Sequence, residues 1–287
     1  MVVLKYSPRM DNIKIAAIIG LKMFRIGILC LCIMLLAFYG NLAGEVASVD
    51  SITITTVYDN NPFVENLVSS WGFACVVQGL ERTILFDTGG DGEVLLANMQ
   101  KLALDPQIVQ IVVLSHLHGD HTGGLADFLQ VNPQVTVYML ESFAEHLEKD
   151  VAERGAQLVT VEEPVEICQG VFLTGEMGTA ISEQALVLKI SQGLVIITGC
   201  AHPGIVDVVK KSQEIGNLPP YLVMGGFHLF GASRPKVREI LSQFRDLGVV
   251  KASPCHCTGS EAISMFAETY GQGYIQNGTG RVITVER

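Results

Sequence analysis

"VVLSHLHGDHTGG", residues 112–124, places three of the chain's seven histidines and an aspartate between positions 116 and 121, directly after an apolar run. If "IVVLS" is a short buried strand, His116 stands at its carboxyl end, and His118, Asp120 and His121 lie on the turn entering the next helix. Loops at such strand ends are where α/β sheets carry their chemistry. Two imidazoles at i and i+2 on a tight turn can converge on one cation, while Asp120 and His121 reach a second beside it. Neutral histidine nitrogens with a carboxylate form a ligand set for zinc, iron or manganese. A capped turn, with Asp120 as helix N-cap, would explain the aspartate but not three histidines.

Working outward, strand-like and helix-like stretches alternate. "SITITTVYD" (51–59) has period two, and "WGFACVVQG" with "RTILFDTG" reads as a hairpin around Gly79. "EVLLANMQKLAL" has helical spacing before Pro106, and "DHTGGLADFLQ" begins a helix. "VTVYML" is a further strand, and "ESFAEHLEKDVAERG" is an amphipathic helix closed by Gly155. The second half repeats the style with "ALVLKI", "LVIITGC", the helix "GIVDVVKKSQEIG", "YLVMGGFH", the helix "RPKVREILSQFRDLG" and "VVKASPCHC". This pattern predicts an α/β fold of sheet layers covered by helices.

"HLHGDH" resembles the His-x-His-x-Asp-His motif of the metallo-β-lactamase fold superfamily. The likeness runs from about residue 51 to the end, with "LFDTGG" before the motif and "TGCAHPGI", "GGFHL" and "PCHCTG" after it. These later signatures are most similar to the branch holding dihydropterin–ribofuranosylaminobenzene phosphate synthase subunits and related hydrolases. The resemblance implies a four-layer αββα sandwich with a dinuclear metal site at one edge of its two sheets. It assigns His116 and His118 to one metal and Asp120 and His121 to the other. It also implies late histidine ligands, for which His202 and His256 stand after apolar strands. Where the superfamily has a bridging aspartate after "TG", this chain has Cys200, so either the thiolate takes the bridge or the bridge is missing.

Other residues carry two readings each. Asp87 in "LFDTG" either orients a ligand histidine or simply forms a turn before Gly89. His228 follows Gly225 and Gly226, which would let backbone approach a substrate, and is read as a proton-shuttling or substrate-facing residue. Cys255 and Cys257 flank His256 at strand spacing and are expected to point away from its side and pack. Arg234 and Lys236 either meet a substrate phosphate or are surface charges of a helix.

The chemistry expected of two divalent ions, zinc first and iron or manganese as alternatives, is hydrolysis of an ester, lactone or phosphodiester-type bond, with Asp120 taking the proton from an activated water. The small-molecule substrate could bear phosphate. A synthase-like transferase is the alternative, and a non-catalytic metal-binding or sensing protein is a third reading. An electron-transferring di-iron protein is disfavoured, because such relatives tend to carry glutamate where His118 stands and a fused flavin domain. A formal charge of −10 over 287 residues argues against nucleic acid as the main partner.

Residues 1–49 read differently from the 50–287 domain. "IGILCLCIMLLAFY" (26–39) is apolar, preceded by Lys22 and Arg25 and followed by the small residues of "GNLAGEVAS". That is the layout of a signal peptide. Extended over residues 26–44, the same run would serve as a membrane anchor of marginal length. The expected location is therefore exported or membrane-anchored. Beyond this leader the five remaining cysteines are an odd number, which is no disulfide framework.

Overall fold

The computed structural model describes residues 51–287, the side chain at position 146 excepted. The leader expected over residues 1–49 lies outside them. Among the described residues no helix is long and apolar enough to cross a membrane.

Two mixed sheets stack face to face. The first has seven strands, the second six. In the first, β1 (Ser51–Asp59) pairs antiparallel with β2 (Phe73–Gln78), which turns into β3 (Thr83–Phe86) as the hairpin the sequence predicts. From β3 onward the chain runs parallel through β4 (Val109–Val113), β5 (Thr136–Leu140) and β6 (Gln157–Val161). In the second sheet β7 (Val165–Cys168), β8 (Val171–Leu173), β9 (Leu186–Ile190) and β10 (Gly193–Thr198) form an antiparallel meander. Strands β10, β11 (Pro220–Gly226) and β12 (Lys251–Cys255) then run parallel. The final strand β13 (Val282–Glu286) returns to the outer edge of the first sheet beside β1.

The period-two pattern explains the layering. Leu186, Leu188, Val195, Ile197, Leu222 and Met224 join the core shared with the first sheet. Their alternates Val187, Leu194, Ile196 and Val223 face the helices α5 (Ile205–Gly216), α6 (Arg234–Asp246) and α7 (Ser260–Tyr270). On the far side of the first sheet lie α1 (Gly92–Lys101), α3 (Leu125–Val131) and α4 (Glu141–Glu153), anchored by residues such as Leu95, Phe128 and Val151. The result is the four-layer αββα sandwich. Each fully buried aliphatic or aromatic side chain stabilises it by ~1.5–3 kcal/mol.

One helix departs from the sequence pattern. "DHTGGLADFLQ" is a single turn, α2 (Gly119–Thr122), followed by α3, and the break falls at Gly123 and Gly124. A Cβ on Gly123 would run into the Gly90 carbonyl, and one on Gly124 into the Thr88 carbonyl. The chain must bend there to lie against the loop after β3.

The consequence for function is positional. The parallel strands β3, β4, β10, β11 and β12 all present their carboxyl ends at the same edge of the sandwich, and the loops beyond them carry Asp87, the 116–121 cluster, Cys200 to His202, His228 and His256.

Candidate metal centre

Six nitrogen and oxygen donors expected from the sequence are brought together as two triads. His116, His118 and His202 form one; Asp120, His121 and His256 form the other. Within each, the ligand-type atoms lie within 4.8 Å of one another. Cys200 stands between them, within that same reach of His116 and His121, of His256 with Cys257, and of His202 with His228. The Cys200 sulfur is 3.3 Å from His121 Nε2. This is where a bridging ligand would sit.

The hydrogen bonds behind the rings decide which nitrogens face inward. Buried Asp87 accepts from the Ser115 backbone N–H at 2.7 Å and from the Ser115 hydroxyl at 2.8 Å, and His121 Nδ1 donates to its Oδ2 at 2.7 Å. With the Ser115 proton committed to Asp87, its Oγ accepts from His116 Nδ1 at 2.9 Å. His256 Nδ1 likewise donates to Asn60 Oδ1 at 2.8 Å. Each ring therefore turns a lone pair, Nε2, into the site.

Two of these lone pairs oppose one another, His121 Nε2 being 3.2 Å from His256 Nε2. His116 Nε2 turns its lone pair toward His118 Nδ1 at 3.1 Å. His202 Nε2 is buried and has no hydrogen-bond partner. Facing acceptors and an orphaned buried nitrogen are unfavourable unless a cation lies between them. The residues present fit divalent ions, and the added sulfur and imidazole donors suit zinc.

Charge is distributed accordingly. Burial and the neighbouring histidines push His116 far below the usual imidazole range. Burial, then His228 and His118, lowers His202 to about 4. For His121 burial opposes the cation, but Asp87, Asp120 and Glu183 outweigh it and raise its pKa. For Asp120 burial is outweighed by hydrogen bonding and charge from His256 and His121, which hold the carboxyl down at about 2, so it is ionised. His228 is raised chiefly by its hydrogen bond to Cys257.

Several residues act here that the sequence pattern does not disclose. Glu183 is fully buried beneath the 198–202 turn; its Oε1 accepts from Thr198 Oγ1 at 3.0 Å, Cys200 N at 2.8 Å and Ala201 N at 2.9 Å, and its Oε2 from His202 N at 2.8 Å. Burial pushes this carboxyl up, against the three backbone N–H groups that hold it down. Ser115 and Asn60 orient the His116 and His256 rings, and the Trp71 ring lies 5.0 Å from that of His256.

One sequence expectation needs correction. Cys255 packs in the core, but Cys257 does not point away: it is within ligand distance of Cys200 and His256. The strand ends at Cys255, and His256 adopts φ 48°, so alternation no longer applies. Gly226 serves the site's own loops, because a Cβ there would meet Cys257 Sγ at 2.6 Å and His256 Cδ2 at 3.2 Å. Of the two readings of Arg234 and Lys236, the structure shows that of surface charges: Arg234 pairs with Glu261 and Lys236 with Glu239, each at 3.1 Å on the surface.

Comparison with known proteins agrees with this geometry. The sequence profile of the Metallo-beta-lactamase superfamily matches residues 72–256. The chain is 29% identical to the 7,8-dihydropterin-6-methyl-4-(beta-D-ribofuranosyl)-aminobenzene-5'-phosphate synthase of Methanocaldococcus jannaschii, over 83% of this chain and 98% of that protein. Among solved structures it is similar to Tm1679, a metal-dependent hydrolase of the beta-lactamase superfamily, with 28% identity, a TM-score of 0.70, and coverage of 82% of this chain and 100% of that one. YhfI from Bacillus subtilis, a metallo-beta-lactamase fold protein, shares the fold at 12% identity and a TM-score of 0.60, covering 82% of this chain and 100% of its own.

Proposed function

The chain belongs to the metallo-beta-lactamase superfamily, and from that premise we propose that it is a metal-dependent hydrolase of a small-molecule ester, lactone or phosphodiester-type substrate. The observation that carries the reading is the pair of ligand triads, with lone pairs opposed at His121 and His256, joined at Cys200 and opening on exposed His118 and His228. His116, His118 and His202 would hold one divalent ion, and Asp120, His121 and His256 the other, with Cys200 between them. When bound, such ions supply Lewis acidity and water acidified from about 15.7 towards 7.

The chain's own residues do the rest. Asp87, Ser115 and Asn60 hold three rings in one tautomer, and Glu183 holds the turn that carries Cys200 and His202. Ionised Asp120 accepts the proton of the attacking water at Oδ2. The bond from the acyl or phosphoryl centre to its leaving oxygen breaks, and His228, whose raised pKa favours the protonated ring, donates to that oxygen.

The test is hydrolysis of p-nitrophenyl acetate and bis(p-nitrophenyl) phosphate by zinc- and manganese-loaded protein, with and without chelator. Turnover of either, abolished by chelation and by Asp120→Asn, supports the reading; turnover of neither retires it. The similarity to a synthase of Methanocaldococcus jannaschii favours one second reading, a transferase acting on a phosphate-bearing substrate. It would join two substrates with release of a leaving group rather than cleave one with water.

The basic start and apolar run of residues 26–44 support a further proposal, that the chain is exported or anchored. Fractionation of the full chain tests it: recovery entirely in the cytosolic fraction with an uncut leader would overturn it.

A further inference from the structure

Two grooves adjoin the metal centre. One, of about 400 Å³, runs from His118 along Leu117, Phe143, Ala180 and Ile181, edged by Ser142 and Ser182. The other, of about 260 Å³, runs from His202 and His228 along Pro203 to the same Ala180 and Ile181. The first has the size of a small-molecule site. Both are bordered by Ala180 and Ile181, in the loop between β8 and β9, so a substrate with its reacting bond at the ligand triads has room for an arm on either side of Ile181.

The larger groove is mixed in character. Leu117, Phe143, Ala180 and Ile181 form an apolar wall, and the polar side chains beside it are Ser142, Ser182 and His118. None of the described residues lining either groove is a lysine or arginine. The cations that could have served are elsewhere: Arg234 is bound to Glu261, and Lys236 borders a separate cleft between α5 and α6. A phosphate carried away from the reacting bond would lie in this groove without a cationic partner, and recognition of such a group needs one. An apolar arm, by contrast, is removed from water against Ile181 and Phe143.

Resting on the hydrolase reading above, we propose that the preferred substrate is an acyl compound, an ester or lactone, whose uncharged apolar arm of several carbons lies in the Leu117–Phe143–Ile181 groove beside His118. Ile181 is then a specificity-determining residue. It is partly exposed in a loop, so replacing it disturbs the core little, whereas Phe143 is buried and would be a poor probe.

The experiment compares p-nitrophenyl acetate with p-nitrophenyl octanoate on the zinc-loaded full chain and on Ile181→Lys, with calorimetric binding of octanoate and phenyl phosphate to both proteins. For wild type the octanoate ester should show a KM at least about tenfold below that of the acetate ester, given the apolar area six more methylenes bury. Ile181→Lys should remove most of that difference, through a raised KM for the octanoate ester, the signature of lost uniform binding. Octanoate should bind wild type at least about tenfold tighter than phenyl phosphate, and lose that margin in the variant. Wild-type KM values independent of acyl length, or tighter binding of phenyl phosphate, overturn the proposal without any variant having to fold. If no ester is turned over but octanoate binds in an Ile181-dependent way, the hydrolase reading falls and the groove assignment stands.

Discussion

Removing one oxygen from Glu183 should disturb the metal centre from beneath. The carboxylate satisfies four donors: Oε1 accepts from Thr198, Cys200 and Ala201, and Oε2 from His202. In Glu183→Gln, the less damaging orientation keeps the carbonyl at the Oε1 position and turns the amide NH2 against the His202 N–H. One buried donor is then unsatisfied and faces another donor, which costs about 1–3 kcal/mol. The opposite orientation loses three acceptances and is worse. Glu183→Ala leaves all four donors without partners, a loss large enough against a typical stability of ~5–15 kcal/mol to confuse folding with function, so the glutamine variant is the better probe. Because the lost bond is to the His202 backbone, that ligand should shift, and weakening a positioning partner of this kind lowers metal affinity by about 10–100-fold. Urea unfolding of the metal-free protein should show a lower midpoint at unchanged slope, and zinc competition against a chelator should show the affinity loss. If Glu183→Gln leaves the metal-free stability within about 0.5 kcal/mol of wild type and zinc affinity unchanged, the claim that this carboxylate holds the turn is refuted.

Three further outcomes are expected. Cys200→Ser should weaken the second equivalent of zinc much more than the first, because the sulfur stands between the triads; an unaltered two-step titration would remove the bridging role. Metal-free protein should lose stability on acidification below pH 6.5: the folded pKa of His116 is depressed, so the unfolded chain takes up the proton first, at a limiting slope of about 1.4 kcal/mol per pH unit. His202 acts in the same direction down to about 4 but is partly exposed and contributes less. His121 shifts the opposite way, so its contribution is complete below pH 6.5 and does not offset the fall. Urea midpoints at pH 7, 6 and 5 check this, and a flat profile would contradict it. Trp71 is the chain's one tryptophan and its ring adjoins His256, so zinc addition should change the emission, and the change should vanish in His256→Ala. Emission insensitive to zinc at saturating occupancy would place Trp71 away from the ion.

What the sequence made legible follows from how local each signal is. His116, His118, Asp120 and His121 are legible together because one strand end and one turn carry them all. The strands of the second sheet's centre are legible because burial on both faces demands long apolar runs, as in "LVIITGC". The edge strands are not: β6 is largely exposed, and β13 alternates over only five residues. Helix α7 buries Ala262, Met265 and Phe266 at i, i+3 and i+4 and ends at Gly271, so its signal is present in the sequence.

The orienting residues were hidden for a different reason. Ser115 is an ordinary strand-end serine, Asn60 acts on His256 across the molecule, and Glu183 reaches a turn nearly twenty positions on; none has a spacing that local periodicity can register. Cys257 shows where pattern reasoning breaks down. Alternation held up to Cys255, then the backbone left the extended region at His256 and turned the next thiol back into the site. That departure is not isolated. Of the seven non-glycine residues with positive φ among those described, Asp87, Ala201, His228 and His256 are at this centre. Left-handed backbone at non-glycine residues costs of order 1–3 kcal/mol each and persists only where its surroundings enforce it. The enforcement is visible: a side chain on Gly199 would collide with Ser115 and Asp87, and one on Gly226 with Cys257, so these glycines let strand ends close in on the strained loops. Strain of this kind is set by packing between loops far apart in sequence, and it accounts for a motif being readable while the arrangement that holds its donors in place was not.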